Sequence, residues 1–236
     1  RRFDKVSTIS DKMVERVQHE KGVAEDRTAL FMNWVDTDAI FPISGPNELC
    51  KQLRIPSGKV IALYSGNMGE KQGLEVVLQA AELMHAENEI LFVLCGDGAA
   101  RARLQNQFQQ LTNVIWLPLQ PLDKLNELLN MADIHLLPQK TGAADLLMPS
   151  KLTGMLASGR PVIATAMKNT QIGEVLTGCG VLVEPENPSQ LADAIHDLAK
   201  DTTKRTKLGI SAREYAVTHW SKEHILAEFK EKLLNI

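Results

Sequence analysis

The chain predicts an α/β fold built on a doubly wound parallel sheet, and three observations carry that reading. From residue 59 onward, apolar β-rich runs alternate with stretches of helical periodicity. Most of these runs are nearly continuous in apolar residues, which marks parallel strands covered on both faces. Several end in glycine-rich turns that lead straight into the next helical stretch.

The expected strands are Lys59 to Ser65, Glu89 to Gly96, Asn113 to Leu119, Ala132 to Pro138, Arg160 to Ala166 and Gly180 to Pro185. Leu74, Val77, Leu78, Ala81 and Met84 follow helical spacing after the first strand. Leu191, Ile195 and Leu198 repeat that spacing behind Ser189, an expected N-cap. From Ser221 to Leu234, Ile225, Phe229 and Leu233 share one helical face, to be packed on this unit or on another. Upstream, "KVSTIS" reads as a strand and "SDKMVERVQHEKG" as a helix ending at Gly22. Asn33 to Leu49 contains Pro42, Gly45 and Pro46 without periodicity and reads as a linker. The N-terminal "RRFDKVSTIS" has neither an initiating methionine nor the apolar core of a signal peptide, so a piece of a longer protein is expected.

Composition narrows the function classes. With 236 residues, 44% hydrophobic, the chain can bury a sizeable core. Its net charge of −3 gives no electrostatic reason to expect nucleic acid or an anionic membrane surface as partner. Cys50, Cys95 and Cys179 are odd in number and widely spaced, which favours a reducing compartment. No apolar run approaches the roughly 20 residues of a membrane span.

Ligands of open parallel sheets bind where strands end and loops begin, and three such loops carry suggestive chemistry. In "YSGNMGEKQGLE", Gly66, Gly69 and Gly73 let backbone amides approach a ligand, and Lys71 adds a positive charge. The run lacks the GK[ST] of a P-loop and the GxGxxG of a dinucleotide site; a tight turn with an exposed lysine is the alternative. In "CGDGAARARL", Gly96 and Gly98 flank Asp97, either a ligand contact or a cap on the following helix. The third loop leaves the fourth strand and enters a helix near Pro149, with Ser150 beside it. Lys151 then falls in the first turn, where a cation opposes the helix dipole; a bound anion would account for it, as would simple solvation. Asp36-Thr37-Asp38 forms a DxD tripeptide, but chance and linker context weigh against a metal there. His135 sits mid-strand and reads as a hydrogen-bonded core residue. The other histidines show no nucleophile partner pattern.

Taken in order, "YSGNMGEKQGLEVVLQAA", "LFVLCGDGAARARL", "WLPLQPLDKLNELLNMADIHLLP", "PSKLTGMLASGRPVIAT" and "GVLVEPENPSQLADAI" resemble the C-terminal domain of GT-B glycosyltransferases of the retaining family 4. "VSTIS", "QKTGAAD" and "PSKLTGMLASG" point further to its colanic acid biosynthesis members, assigned as fucosyltransferases. The resemblance implies a Rossmann-like donor-binding domain over 55–220. Residues 1–32 would be a stub of the preceding acceptor domain, 33–54 the interdomain linker and 221–236 a C-terminal helix. It implies transfer of a sugar from a GDP- or UDP-linked donor to a lipid-linked glycan acceptor, without a cofactor or metal, at the cytoplasmic face of the membrane. The acceptor would be bound mainly by the preceding domain, so this chain alone is expected to be inactive.

Carried over residue by residue, the family's diphosphate lysine matches Lys71, while its arginine position holds Asn67. Gly96 and Gly98 match its second glycine loop, near the base. The two glutamates of the family fall on Leu146 and Gly154, neither acidic; Asp145 stands one residue from the first and is a candidate substitute. The expected site is therefore Lys71 and Lys151 as the cations that receive charge on the leaving diphosphate. Gly66, Asn67, Gly69, Gly96, Asp97, Gly98, Asp145 and Ser150 complete the donor contacts. A non-catalytic nucleotide- or partner-binding module and a GT-B sugar-nucleotide epimerase stand as alternatives.

Overall fold

A computed structural model describes residues 3–141 and 148–234. A small N-terminal unit pairs β1 (Val6–Thr8) in parallel with β2 (Thr28–Leu30) around α1 (Asp11–Lys21). Ser10 caps α1 by accepting from the Met13 amide, and Gly22 ends it in the left-handed conformation. After α2 (Glu48–Gln52) come β3 (Val60–Ser65), α3 (Leu74–Leu83), β4 (Ile90–Cys95), α4 (Arg101–Gln107) and β5 (Val114–Leu117). The chain continues through α5 (Leu125–Met131), β6 (Ile134–Leu137), α6 (Lys151–Ala157), β7 (Val162–Thr165), α7 (Gln171–Leu176), β8 (Gly180–Val183) and α8 (Pro188–Lys200). Two further helices, α9 (Thr202–Trp220) and α10 (Lys222–Leu234), close it.

The strands β3 to β8 form one six-stranded sheet in the order β5-β4-β3-β6-β7-β8, with every pairing parallel. The expected doubly wound sheet is therefore present, and all six strand runs fall on it. Alternation along β3 shows why both faces are covered: Ala62 and Tyr64 join a cluster with α3, α4 and α8, while Ile61 and Leu63 pack with α2 and α5. The helices α6, α7 and α9 cover the second face beyond β6. The winding reverses between the adjacent strands β3 and β6, leaving a crevice at their carboxyl ends.

Three local expectations are corrected. The cap of α8 is Asn187, which accepts from the Gln190 amide with Pro188 in the first turn, so Ser189 lies inside the helix. The supposed linker ends early, because Asn47 accepts from the Cys50 amide and starts α2. Asp97 does not cap α4: Ala100 precedes that helix, and the Asp97 carboxylate accepts instead from the Gly98 amide at 2.8 Å.

Between residues 36 and 43 the backbone has no strand partner among the described residues and borrows side chains. Arg213 donates to the carbonyls of Thr37 and Ile40, Asn126 accepts from the Phe41 amide, and Asn130 bonds Phe41 O and Ile43 N. Val35 makes an isolated parallel bridge with Ser221, at the junction of α9 and α10. Beyond that junction α10 returns to the N-terminal unit, where Phe229 stacks on Phe31 at 4.0 Å between centroids.

Candidate functional site

The first two glycine loops are stitched together by their backbones. Gly66 N donates to Cys95 O at 3.0 Å, Met68 N to Asp97 O at 2.7 Å, and Ala100 N to Met68 O at 2.9 Å. Contact this close demands glycine. A Cβ on Gly96 would lie 1.9 Å from Gly66 O, and one on Gly98 would lie 2.6 Å from the Met68 carbonyl. Both also hold φ near +150°, at 149° and 153°, where L-residues are strained. Beneath them Tyr64 is fully buried and donates its hydroxyl to Asn67 O at 2.5 Å.

The third loop adds the charge. Ser150 precedes α6, and Lys151 is its first residue, as expected from Pro149 and Ser150. The Lys151 ammonium lies 4.1 Å from the centroid of the Tyr64 ring, and its stem passes Gly66. Part of the residue remains accessible, but desolvation of the charged end pushes its pKa down to about 7. No described carboxylate offsets that penalty.

Ser65, Gly66, Gly96, Ser150 and Lys151 line one cavity of about 810 Å³ at the crevice between β3 and β6. That volume is of the size that holds small-molecule ligands. Asn67 and Asp97 are exposed on the rim loops, and Gly69 sits beside the Asn67 side chain. Lys71 is exposed in the 3-10 turn Glu70–Gln72 on the same edge, and does not line the cavity. Asp145 and Leu146 lie outside the described residues.

Apart from Gly154 and Asp36, each weighed above for another role, the rest of the cavity wall escaped sequence reasoning. Gly154 faces it from α6, where a Cβ would meet Leu129 at 3.3 Å. Leu119 and Leu122, 66% and 84% exposed, form an apolar lip after β5. Exposed leucines in an otherwise polar loop were the signal available for them. Trp34, Asp36 and Lys222 arrive from the Val35–Ser221 crossing. Asp36 accepts from the amides of Asp38 and Ala39 and pairs with Lys222 at 3.4 Å, so the DxD carboxylate is engaged in a local turn. His135 is fully buried with Nε2 on Ser158 Oγ at 3.0 Å, and burial holds its pKa down to about 3. It is a neutral core residue, as expected.

The sequence profile of the family described as "Glycosyl transferases group 1" matches residues 47–215. WcaI of Escherichia coli (strain K12), assigned as a colanic acid biosynthesis glycosyl transferase, is 41% identical over 233 residues, covering 96% of this chain and 56% of that protein. WbjE of Pseudomonas aeruginosa, assigned as a glycosyltransferase, is 28% identical over 213 residues, covering 85% of this chain and 52% of that protein. The chain thus spans about half the length of these curated relatives. Among solved structures, Anabaena HepE in complex with UDP-glucose superposes with a TM-score of 0.82 at 20% identity, over all of this chain and 65% of that one. At that identity the likeness speaks for the fold alone.

Proposed function

Because this chain belongs to the group 1 glycosyl transferases, we propose that it is the donor-binding half of a metal-independent, retaining glycosyltransferase. Its donor would be a UDP- or GDP-linked sugar and its acceptor a lipid-linked glycan of exopolysaccharide assembly, at the cytoplasmic face of the membrane. The observation that supports this reading best is Lys151, a residue with a desolvated ammonium and no described carboxylate beside it, lining a cavity at the switch point of the sheet. A buried cation of this kind is stabilised by an anion, and a diphosphate supplies one. Gly66 and Gly96 serve this site by leaving room rather than by donating, since their amides are spent on Cys95 O and Leu117 O. As the glycosidic bond breaks, negative charge collects on the departing diphosphate, and a fixed ammonium there lowers the barrier. Lys71 stands on the same edge and would close over the ligand from the rim. Two relatives lend direction: one is assigned to colanic acid biosynthesis, and HepE holds UDP-glucose. No helix among the described residues is long and apolar enough to cross a membrane.

Calorimetric titration of UDP and GDP into the wild-type chain, Lys71→Ala, Lys151→Ala and the exposed control Lys207→Ala tests the reading. Loss of either site lysine should weaken the better nucleotide roughly 10- to 150-fold and the bare nucleoside hardly at all. An equal loss in the control, or no binding of either nucleotide to the wild type, overturns it.

A further inference from the structure

We propose that Trp34 is the platform for the sugar ring carried on the diphosphate, steadied by Asp36 and Lys222; this rests on the donor-site reading above. Trp34 lines the same cavity as Lys151 and remains 41% exposed. An indole left open inside a concave site offers a flat apolar face, which suits the C–H face of a pyranose. The ring is also held in place. The Lys222 ammonium lies 5.7 Å from its centroid, and Asp36 anchors that ammonium at 3.4 Å. Asp36 is in turn fixed by the amides of Asp38 and Ala39, and the neighbouring Val35 is bridged to Ser221. A preorganised aromatic face flanked by a carboxylate and an ammonium therefore meets the chemistry of a sugar: one apolar face and a rim of hydroxyls that both donate and accept. Leu119 and Leu122 offer apolar contact but no polar groups to match such a rim, and Lys151 is assigned above to the diphosphate.

The test compares UDP with UDP-glucose and UDP-galactose, and GDP with GDP-fucose and GDP-mannose, on the wild-type chain, Trp34→Ala and Trp34→Phe, by calorimetry. In the wild type at least one nucleotide-sugar should bind more tightly than its bare nucleotide. Trp34→Ala should erase that advantage, a change of roughly 3- to 10-fold, and leave the bare nucleotide unchanged. Trp34→Phe should keep most of it. Equal losses for nucleotide and nucleotide-sugar, an advantage that survives Trp34→Ala, or none in the wild type overturns the assignment. Failure of UDP and GDP to bind at all would instead overturn the donor-site reading beneath it.

Discussion

With Lys151 on the diphosphate as proposed, nucleotide binding should depend on pH, and the size of the effect follows from where its ammonium sits. In the empty cavity its pKa is about 7, against about 10.4 for an ordinary lysine. A bound diphosphate favours the charged form and draws the pKa back up, so binding takes up a proton wherever the free protein has lost one. At pH 7 about half a proton should be taken up per ligand, and at pH 8 about nine-tenths. The affinity of the wild type should therefore fall about fivefold between pH 7 and pH 8, and approach tenfold per unit above that. Below pH 7 the lysine is already charged and this contribution flattens. The terminal phosphate of the nucleotide ionises near pH 6 and is constant across the window. Cys95 also lines the cavity, but burial raises its thiol pKa, so it stays neutral there. Calorimetry of UDP or GDP in two buffers of different ionisation enthalpy counts the protons directly. The Lys151→Ala variant should take up none and lose the slope. A wild-type affinity that stays flat from pH 7 to 8.5, or an equal slope in the variant, would refute the reasoning.

Lys151 should also cost stability in the empty protein. Its folded pKa lies below its unfolded one, so the penalty is complete below about pH 7 and is relieved as pH rises toward 10.4. Lys151→Met is expected to raise stability at pH 6.5 by about 1–3 kcal/mol, with a smaller gain at pH 9, read from urea denaturation. Gly96→Ala forces a Cβ onto Gly66 O and should cost about 2–4 kcal/mol while weakening nucleotide binding, because the loops that line the cavity must part. Asn130→Leu strands the Phe41 carbonyl and the Ile43 amide, and a loss of about 2–4 kcal/mol in chemical denaturation is expected, against little change for an exposed control such as Lys207→Ala.

The sheet was legible because burial on both faces leaves almost nothing polar within a strand: β4 reads Ile-Leu-Phe-Val-Leu-Cys and is buried throughout. The glycine loops were legible for a related reason, since Gly96 and Gly98 stand where any side chain would strike the neighbouring loop. Other elements left no such trace. The helix α9 meets the rest of the fold through Gly209, Ala212 and Ala216, too small in side chain to register as a hydrophobic period, with Trp220 only at its last residue. Gly209 is pressed so close to Gly159 that a Cβ would lie 2.3 Å from its carbonyl. The strand β2 is only three residues long, and α2 hides behind a proline- and glycine-rich stretch. In the site, Lys151 was found through its conflict with the helix start. The wall opposite was not, because it joins residues 186 positions apart, Asp36 and Lys222, whose meeting depends on the completed fold.

The bridge between Val35 and Ser221 has a topological meaning. Val35 donates to Trp220 O and the Lys222 amide donates back to Val35 O, each at 2.9 Å, so the chain leaves the sheet-bearing unit beside the point at which it came in. Residues 36 to 220 thus describe a nearly closed ring. A ring can be cut anywhere that is exposed and sealed where its ends touch. Joining residue 220 to residue 36 through a short glycine linker, and opening new termini in the exposed turn at Ser57 and Gly58, should yield a circular permutant with the same sheet, its cavity keeping Lys151 but losing the wall made by Trp34, Val35 and Lys222. The N-terminal unit and α10 lie outside that ring, meeting each other where Phe31 stacks on Phe229.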